Sequence, residues 1–372
     1  MIGIILLFSL LALYAINIYR IYIGWKSTPE IQLSEIKNPT AFSIIIPCRN
    51  EAGNISKCLA SLSQLSFPSE SFEIIIVDDG STDDLVTQVT PFLGQRIVCI
   101  TSKGQGKKAA LNEGISLAKF AYIITLDADC IVNTQWLTFY AIIIYQNPGA
   151  RLIAGPVIIT QKSPSVVNDF QVMEMAANMT INANGIYRKE YFICNGANLC
   201  FEKQSFYEVN GYAGNENISS GDDVFLISKM SMAFPRGIFF LKNVQAAVET
   251  APMPTIHSLF SQRKRWASKT KAYASKRIIV IQGLVFLTNL FLLLMMIYGI
   301  AYLHVLKFVM IAMLLKMLID YLYLKSSTTF YGQKLRNFIP SFSMYLAYIL
   351  YLGVIALNTK NYSWKGRPGF GK

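Results

Sequence analysis

An α/β domain on a parallel sheet, carried between membrane-spanning helices at both ends, is the architecture that these 372 residues predict. Three observations lead there. From Phe42 onward, short β-branched runs alternate with helical segments. Apolar residues crowd into Met1–Ile23 and Ile278–Leu357, while the stretch between reads as an ordinary globular mixture. The acidic motifs fall where the apolar strands end, and ligands of open α/β sheets bind beyond the carboxyl ends of strands.

In order, FSIIIP (42–47) is a buried strand and a helix follows from Glu51. FEIIIVD (72–78) is the second strand, with a helix after Thr82; RIVCIT (96–101) is the third, with a helix from Lys107; AYIITLD (121–127) is the fourth. Continuous apolar strands alternating with helices predict a parallel sheet covered on both faces.

Composition divides the chain further. It is 53% hydrophobic and only 15% charged, with a mean hydropathy of +0.37. The first apolar segment has no basic start and no small-residue cleavage site, and Arg20 and Lys26 follow, so it reads as a retained anchor with the next domain cytoplasmic. Three more spans are expected at 278–302, 305–324 and 338–357, each near the roughly 20 residues a bilayer requires. Lys269, Lys271, Lys276 and Arg277 flank the first on its cytosolic side, and Lys325, Lys334 and Arg336 mark the loop before the last. This count puts Lys360, Lys365, Arg367 and Lys372 outside, against the charge rule, and leaves the side of the tail open. The expected organisation is an anchor at 1–25, a cytosolic domain at 40–254, an amphipathic interface region at 255–277, transmembrane helices at 278–358 and a basic tail at 359–372. Lys316 and Asp320, four apart on one helix face, read as a pair inside the bundle, with a part in acceptor passage as the alternative.

The net charge of +12 suits a protein that works beside anionic lipid and handles phosphate. No Lys/Arg block is interleaved with aromatics, so nucleic acid is not expected as a partner. Six cysteines without a C-x-x-C pair read as reduced, buried thiols.

Five motifs carry the chemistry. Asp78 and Asp79 close the second strand, and Asp127 and Asp129, with Ala128 between them, close the fourth with their side chains on the same side. Carboxylates at such an edge hold a hard divalent cation and leave positions for phosphate oxygens, although one D-x-D alone is more often a turn. KGQGKKAALNEG (103–114) imitates a dinucleotide fingerprint, but it follows the third strand rather than the first. Its plainer role is a glycine turn that feeds a helix N-terminus, with lysine near phosphate. In SSGDDVFL (219–226), Ser220 reads as a helix cap and Asp222 and Asp223 as first-turn acids, which stabilise a helix with or without catalysis. In HSLFSQRKRWASK (257–269), Gln262, Arg265 and Trp266 share a helix face and could grip pyrophosphate and stack on a sugar. Ile256, Leu259 and Phe260 form an apolar stripe suited to the membrane surface.

Taken in order, SIIIPCRNE, VDDGSTD, KGQGKKAALNEG, DAD, CNGANLCF, SGDD and QRKRW resemble family 2 glycosyltransferases of the GT-A fold. The resemblance is to the membrane branch that includes cellulose, chitin and hyaluronan synthases and ceramide glucosyltransferase, and it runs from Phe42 to Trp266. It implies a Rossmann-like mixed, mainly parallel sheet and an inverting transfer from a nucleotide-diphosphate sugar, a UDP-sugar in most of the family. Asp79 with Asp78 would contact base and ribose; Asp127 and Asp129 would hold Mg2+ or Mn2+ and the diphosphate; Asp223 would be the general base. Gln262, Arg265 and Trp266 match Q-x-x-R-W, which grips diphosphate and acceptor, and Pro47, Arg49, Glu51, Lys107 and Ala128 would line the donor site. Where the family has Glu-Asp this chain has Asp222-Asp223, which leaves the choice of base between them open. A lipid or lipid-linked acceptor at the membrane is expected, with a processive polysaccharide synthase as the alternative and a silent membrane-bound binding subunit as the rival from another class. Protein partners are not specified.

Overall fold

The computed structural model describes residues 1–161, 163–214, 221–267, 275–358, 361–364 and 367–370. Ser219, Ser220, Lys269, Lys271, Lys360, Lys365 and Lys372 lie outside them, and with them the expected Ser220 cap. The chain divides into two compact units: 28–160 with 192–251 and 360–372, and 1–27 with 161–191 and 252–359.

In chain order, α1 (Ile2–Ser27) precedes β1 (Phe42–Cys48), α2 (Ala52–Ser63), β2 (Phe72–Asp78), α3 (Leu85–Val89), β3 (Ile97–Thr101), α4 (Lys107–Leu117) and β4 (Tyr122–Leu126). Next come α5 (Trp136–Gln146), β5 (Leu152–Ala154), β6 (Val157–Ile159), α6 (Val166–Arg188), β7 (Asn198–Glu202), α7 (Lys203–Glu208), α8 (Asp222–Ala233), β8 (Ile238–Phe240) and β9 (Val248–Thr250). The series closes with α9 (Ile256–Ala267), α10 (Lys276–Ala301), α11 (Leu303–Phe330), α12 (Phe338–Asn358) and an antiparallel pair, β10 (Asn361–Trp364) and β11 (Arg367–Phe370).

Among the described residues of the sheet unit, the main sheet has seven strands in the order β3-β2-β1-β4-β7-β5-β8, and β6 and β9 form a separate parallel pair. Every neighbouring pair is parallel except the two that β7 makes, so the sheet is mixed and mainly parallel. Ile44, Ile45 and Ile46 of β1 are fully buried, which is why this strand reads as an unbroken apolar run. The strand ends set up the site: β2 ends on Asp78, but β4 stops at Leu126. Asp127 to Asp129 therefore occupy the turn beyond β4, where the Cys130 amide donates to the Asp127 carbonyl (3.0 Å), and strand alternation does not set their directions. The helix after Thr82 is only five residues long, because Pro91 enters a 3-10 turn at Thr90–Phe92 and has no amide to donate. All six cysteines are free. Burial, then Asp129 and Asp127, push the thiols of Cys58 and Cys130 well above the ordinary value, which suits packing and not nucleophilic attack.

The helical unit consists of α1, α6 and α9 to α12. Its core draws Leu7, Leu11 and Tyr14 from α1, Leu292 and Met295 from α10, and Val305, Val309 and Ala312 from α11. The cytosolic stretch expected over 40–254 is divided here, since 161–191, including all of α6, packs with the apolar helices. Among the described residues, three helices are long and apolar enough to cross a membrane: Ile2–Ser27, Lys276–Ala301 and Phe338–Ile355. The fourth expected span lies in α11, which has the length but is interrupted by Lys307, Lys316, Asp320 and Lys325. The stripe on α9 is packed within this unit in part. Leu259 is buried against Phe170 of α6 and Tyr348 of α12, and the Phe260 ring meets Tyr351 edge-on at 4.7 Å. Ile256, the third residue of the stripe, stays 53% exposed.

Candidate active site

The site of the sheet unit is organised around Lys107, the first residue of α4. A lysine there opposes the helix dipole, so something else must hold it. Its Nζ donates to Asp127 Oδ1 at 2.6 Å and lies 3.6 Å from Asp222 Oδ2. Burial alone would lower its pKa, but Asp127, then Asp222 and Asp223, outweigh that and keep the ammonium well above the ordinary lysine value. Residues 107, 127 and 222, far apart in sequence, thus meet at the sheet's rim.

Two glycines make this approach possible. Gly106 has φ +92°, a turn that delivers Lys107 to the start of α4, and its amide donates to Asp79 Oδ1 at 2.8 Å. At Gly196 a Cβ would lie 2.9 Å from Asp222 Oδ2 and 3.4 Å from Asp223 Cβ, so a side chain here would push on the Asp222 carboxylate. The Gly196 amide donates to Asp223 Oδ2 at 3.2 Å, and its carbonyl accepts from Thr125 Oγ1 of β4 at 2.8 Å. Sequence reasoning missed Gly196 as a site residue; a glycine beside an asparagine, just before a strand, was the available signal. Asp222 is buried and Asp223 half-buried, both in the first turn of α8.

The other residues expected at the donor site lie at or just beyond the ends of β1, β2 and β4. Asp79 is buried, and its carbonyl accepts from the Arg49 guanidinium at 3.0 Å. Asp78 Oδ1 accepts from the Ser81 amide at 2.8 Å, which fixes the loop after β2. Pro47 pairs with Val77 in the β1–β2 register, and Ala128 is buried. Asp129 accepts from Thr250 Oγ1 at 3.1 Å. Burial, then Asp127 and Glu51, raise its carboxyl pKa above the usual range against that hydrogen bond. Two crowded carboxylates are a donor set that fits a hard divalent cation. Among the described residues no group of three or more His, Cys, Asp or Glu is arranged to hold a metal. A cation here would need further oxygens, such as those of a diphosphate.

Gln262, Arg265 and Trp266 lie on α9 in the helical unit, all half-buried. Arg263, a neighbour that the sequence did not mark, is buried instead: it donates to the Gln262 amide oxygen and sits 4.1 Å from the centre of the Trp266 ring.

A fold does not fix a function, but two family models match this chain. The model for glycosyl transferase family group 2 matches residues 122–355, and that for glycosyl transferase family 2 matches 43–162. The chain belongs to the family 2 glycosyltransferases. Among its relatives, glycosyltransferase AglE of Haloferax volcanii is 31% identical over 183 residues, 48% of this chain and 58% of that protein. The poly-beta-1,6-N-acetyl-D-glucosamine synthase of Staphylococcus epidermidis is 28% identical over 258 residues, 68% of this chain and 60% of that protein. The chain thus spans about three fifths of the curated relatives it matches. The mannosyltransferase PcManGT of Pyrobaculum calidifontis, solved with GDP-Man and Mn2+, has the same fold at a TM-score of 0.57 and 16% identity, covering 95% of this chain and 98% of that one.

Proposed function

We propose that the protein transfers a sugar, with inversion, from a nucleotide-diphosphate donor, in the first instance a UDP-sugar, to a lipid or lipid-linked acceptor at a membrane, with its donor site in the cytoplasm. The observation that carries this reading is the meeting of Lys107, Asp127, Asp222 and Asp223 around Gly196. In that site Asp223, the more exposed acid of the pair, takes the proton of an acceptor hydroxyl. The hydroxyl oxygen forms its bond to the anomeric carbon as the bond to the β-phosphate oxygen breaks, and the nucleoside diphosphate leaves with the electron pair. Asp222 and Asp127 keep Lys107 charged beside the diphosphate, and Asp79 and Arg49 hold the loops that receive the nucleoside. Asp127 and Asp129 would hold Mg2+ or Mn2+, which supplies charge stabilisation at the leaving phosphates. The Mn2+ found with GDP-Man in the PcManGT structure supports that choice of metal. Gln262, Arg265 and Trp266 grip diphosphate and acceptor.

A second reading, processive synthesis of a polysaccharide, is favoured by the synthase relative that matches 68% of this chain. A panel of labelled nucleotide sugars, offered to the purified protein with Mn2+ and membrane lipid, separates the two. One lipid-soluble product supports single transfer, and a ladder of lengths supports the polymer. If no sugar is released or transferred from any donor, both readings fall.

A further inference from the structure

The geometry points to Arg263, held by Glu174, as a positioning residue for Gln262 and Trp266, a role that rests on the transferase reading above. Arg263 is 2% exposed, and its Nε donates to both carboxylate oxygens of Glu174 (3.1 and 2.9 Å) while Nη2 donates to Oε2 at 2.5 Å. Glu174 belongs to α6, and it also accepts from the hydroxyl of Tyr348 on α12. On its other side the same guanidinium donates through Nη1 to the Gln262 amide oxygen and lies 4.1 Å from the Trp266 ring centre. One buried cation therefore joins an acid on one helix and a hydroxyl on another to two of the three side chains of Q-x-x-R-W.

Docking of α9 does not need this arrangement, because Leu259 and Phe260 already seat the helix on Phe170, Tyr348 and Tyr351. A buried ion pair is also a poor source of stability compared with apolar packing of the same volume. What it supplies is direction. A planar fork that binds a carboxylate on one edge presents its remaining N–H and its face at fixed angles, which lysine cannot do. Gln262 and Trp266, both half-buried, are thereby confined to one orientation each.

The test uses the full-length protein in lipid nanodiscs and measures kcat and KM for donor and acceptor. Arg263→Lys keeps the charge and removes the fork; kcat should fall about 10²-fold, the cost of misplacing a positioned group by roughly 1 Å. In a Trp266→Ala or Gln262→Ala background the same change should add less than about threefold, because the groups it orients are already gone. Tyr348→Phe, which removes only one hydroxyl, should lower kcat about tenfold and show the same lack of additivity; it decides the matter if Arg263→Lys does not fold. Multiplicative losses, or an unchanged kcat in Arg263→Lys and Tyr348→Phe, would overturn the positioning role while the parent still transfers sugar. A parent that transfers nothing would instead remove the reading on which this role stands.

Discussion

Two lysine–aspartate pairs of nearly equal length, one in each unit, have opposite surroundings. Lys107 reaches Asp127 over 2.6 Å, and Lys316 reaches Asp320 over 2.7 Å. The first pair is partly open, with side chains 18% and 36% exposed, and has a second acid 3.6 Å away and a bare glycine beside it. The second is sealed. Lys316 is fully buried, Tyr14 donates to Asp320 Oδ1 at 2.5 Å, and the ammonium lies 5.0 Å from the ring centre of Tyr14, 4.8 Å from Phe342 and 5.4 Å from Tyr345. Contact distance therefore says little about purpose. A pair with spare acids, access and room for another molecule is placed for binding, whereas a pair with every side satisfied is part of the frame.

That contrast can be broken in several ways. Asp223→Asn should lower transfer about 10²–10⁴-fold, the contribution of a positioned base, with the fold and nucleotide binding retained; near-parental turnover would remove its role. Lys316→Met should leave Asp320 buried without its cation and cost about 3–5 kcal/mol of stability, read from thermal or denaturant unfolding. Adding Asp320→Leu should restore most of that loss. The equivalent double change at the rim, Lys107→Met with Asp127→Leu, should leave the fold intact and sugar transfer absent. If the rim pair recovers like the buried one, the two sites are not different in kind.

Gly196→Ala should cost roughly 10²-fold in transfer, because its methyl displaces the Asp222 carboxylate from beside Lys107. A sugar-transfer assay beside a circular dichroism spectrum separates this from misfolding. The smallest effect concerns pH. The folded-state pKa of Lys107 is raised, so its contribution to stability is fully present below the unfolded value of about 10.4 and is lost only as pH rises through the higher folded value. Between pH 7 and 9 the stability difference between parent and Lys107→Met should therefore stay flat. A slope in that window would show that Lys107 is not held as described.

Much of the sheet could be read directly: β1, β2 and β4 are buried runs with no polar alternation to misread, β3 is an edge strand legible from its β-branched run, and all four fall within a residue or so of FSIIIP, FEIIIVD, AYIITLD and RIVCIT. The rim acids were legible because two acidic pairs each follow an apolar strand, whereas one pair alone would read as a turn. Gly196 and Arg263 were harder. Gly196 matters only through atoms of Asp222 and Asp223, and Arg263 sits among other basic residues with nothing in the local pattern to mark it as the buried one.

Local order in the chain decided the element types, the strand ends, the acids they carry and the apolar segments, because periodicity and hydrophobicity are properties of neighbours. Tertiary structure alone decided which distant side chains meet. It placed α6 among the apolar helices, turned Leu259 and Phe260 of α9 onto α6 and α12, and closed Lys107 onto acids 20 and 115 residues away. Those outcomes depend on which faces are left to cover and which charges are left to satisfy once the sheet has formed, and no window along the chain contains both partners.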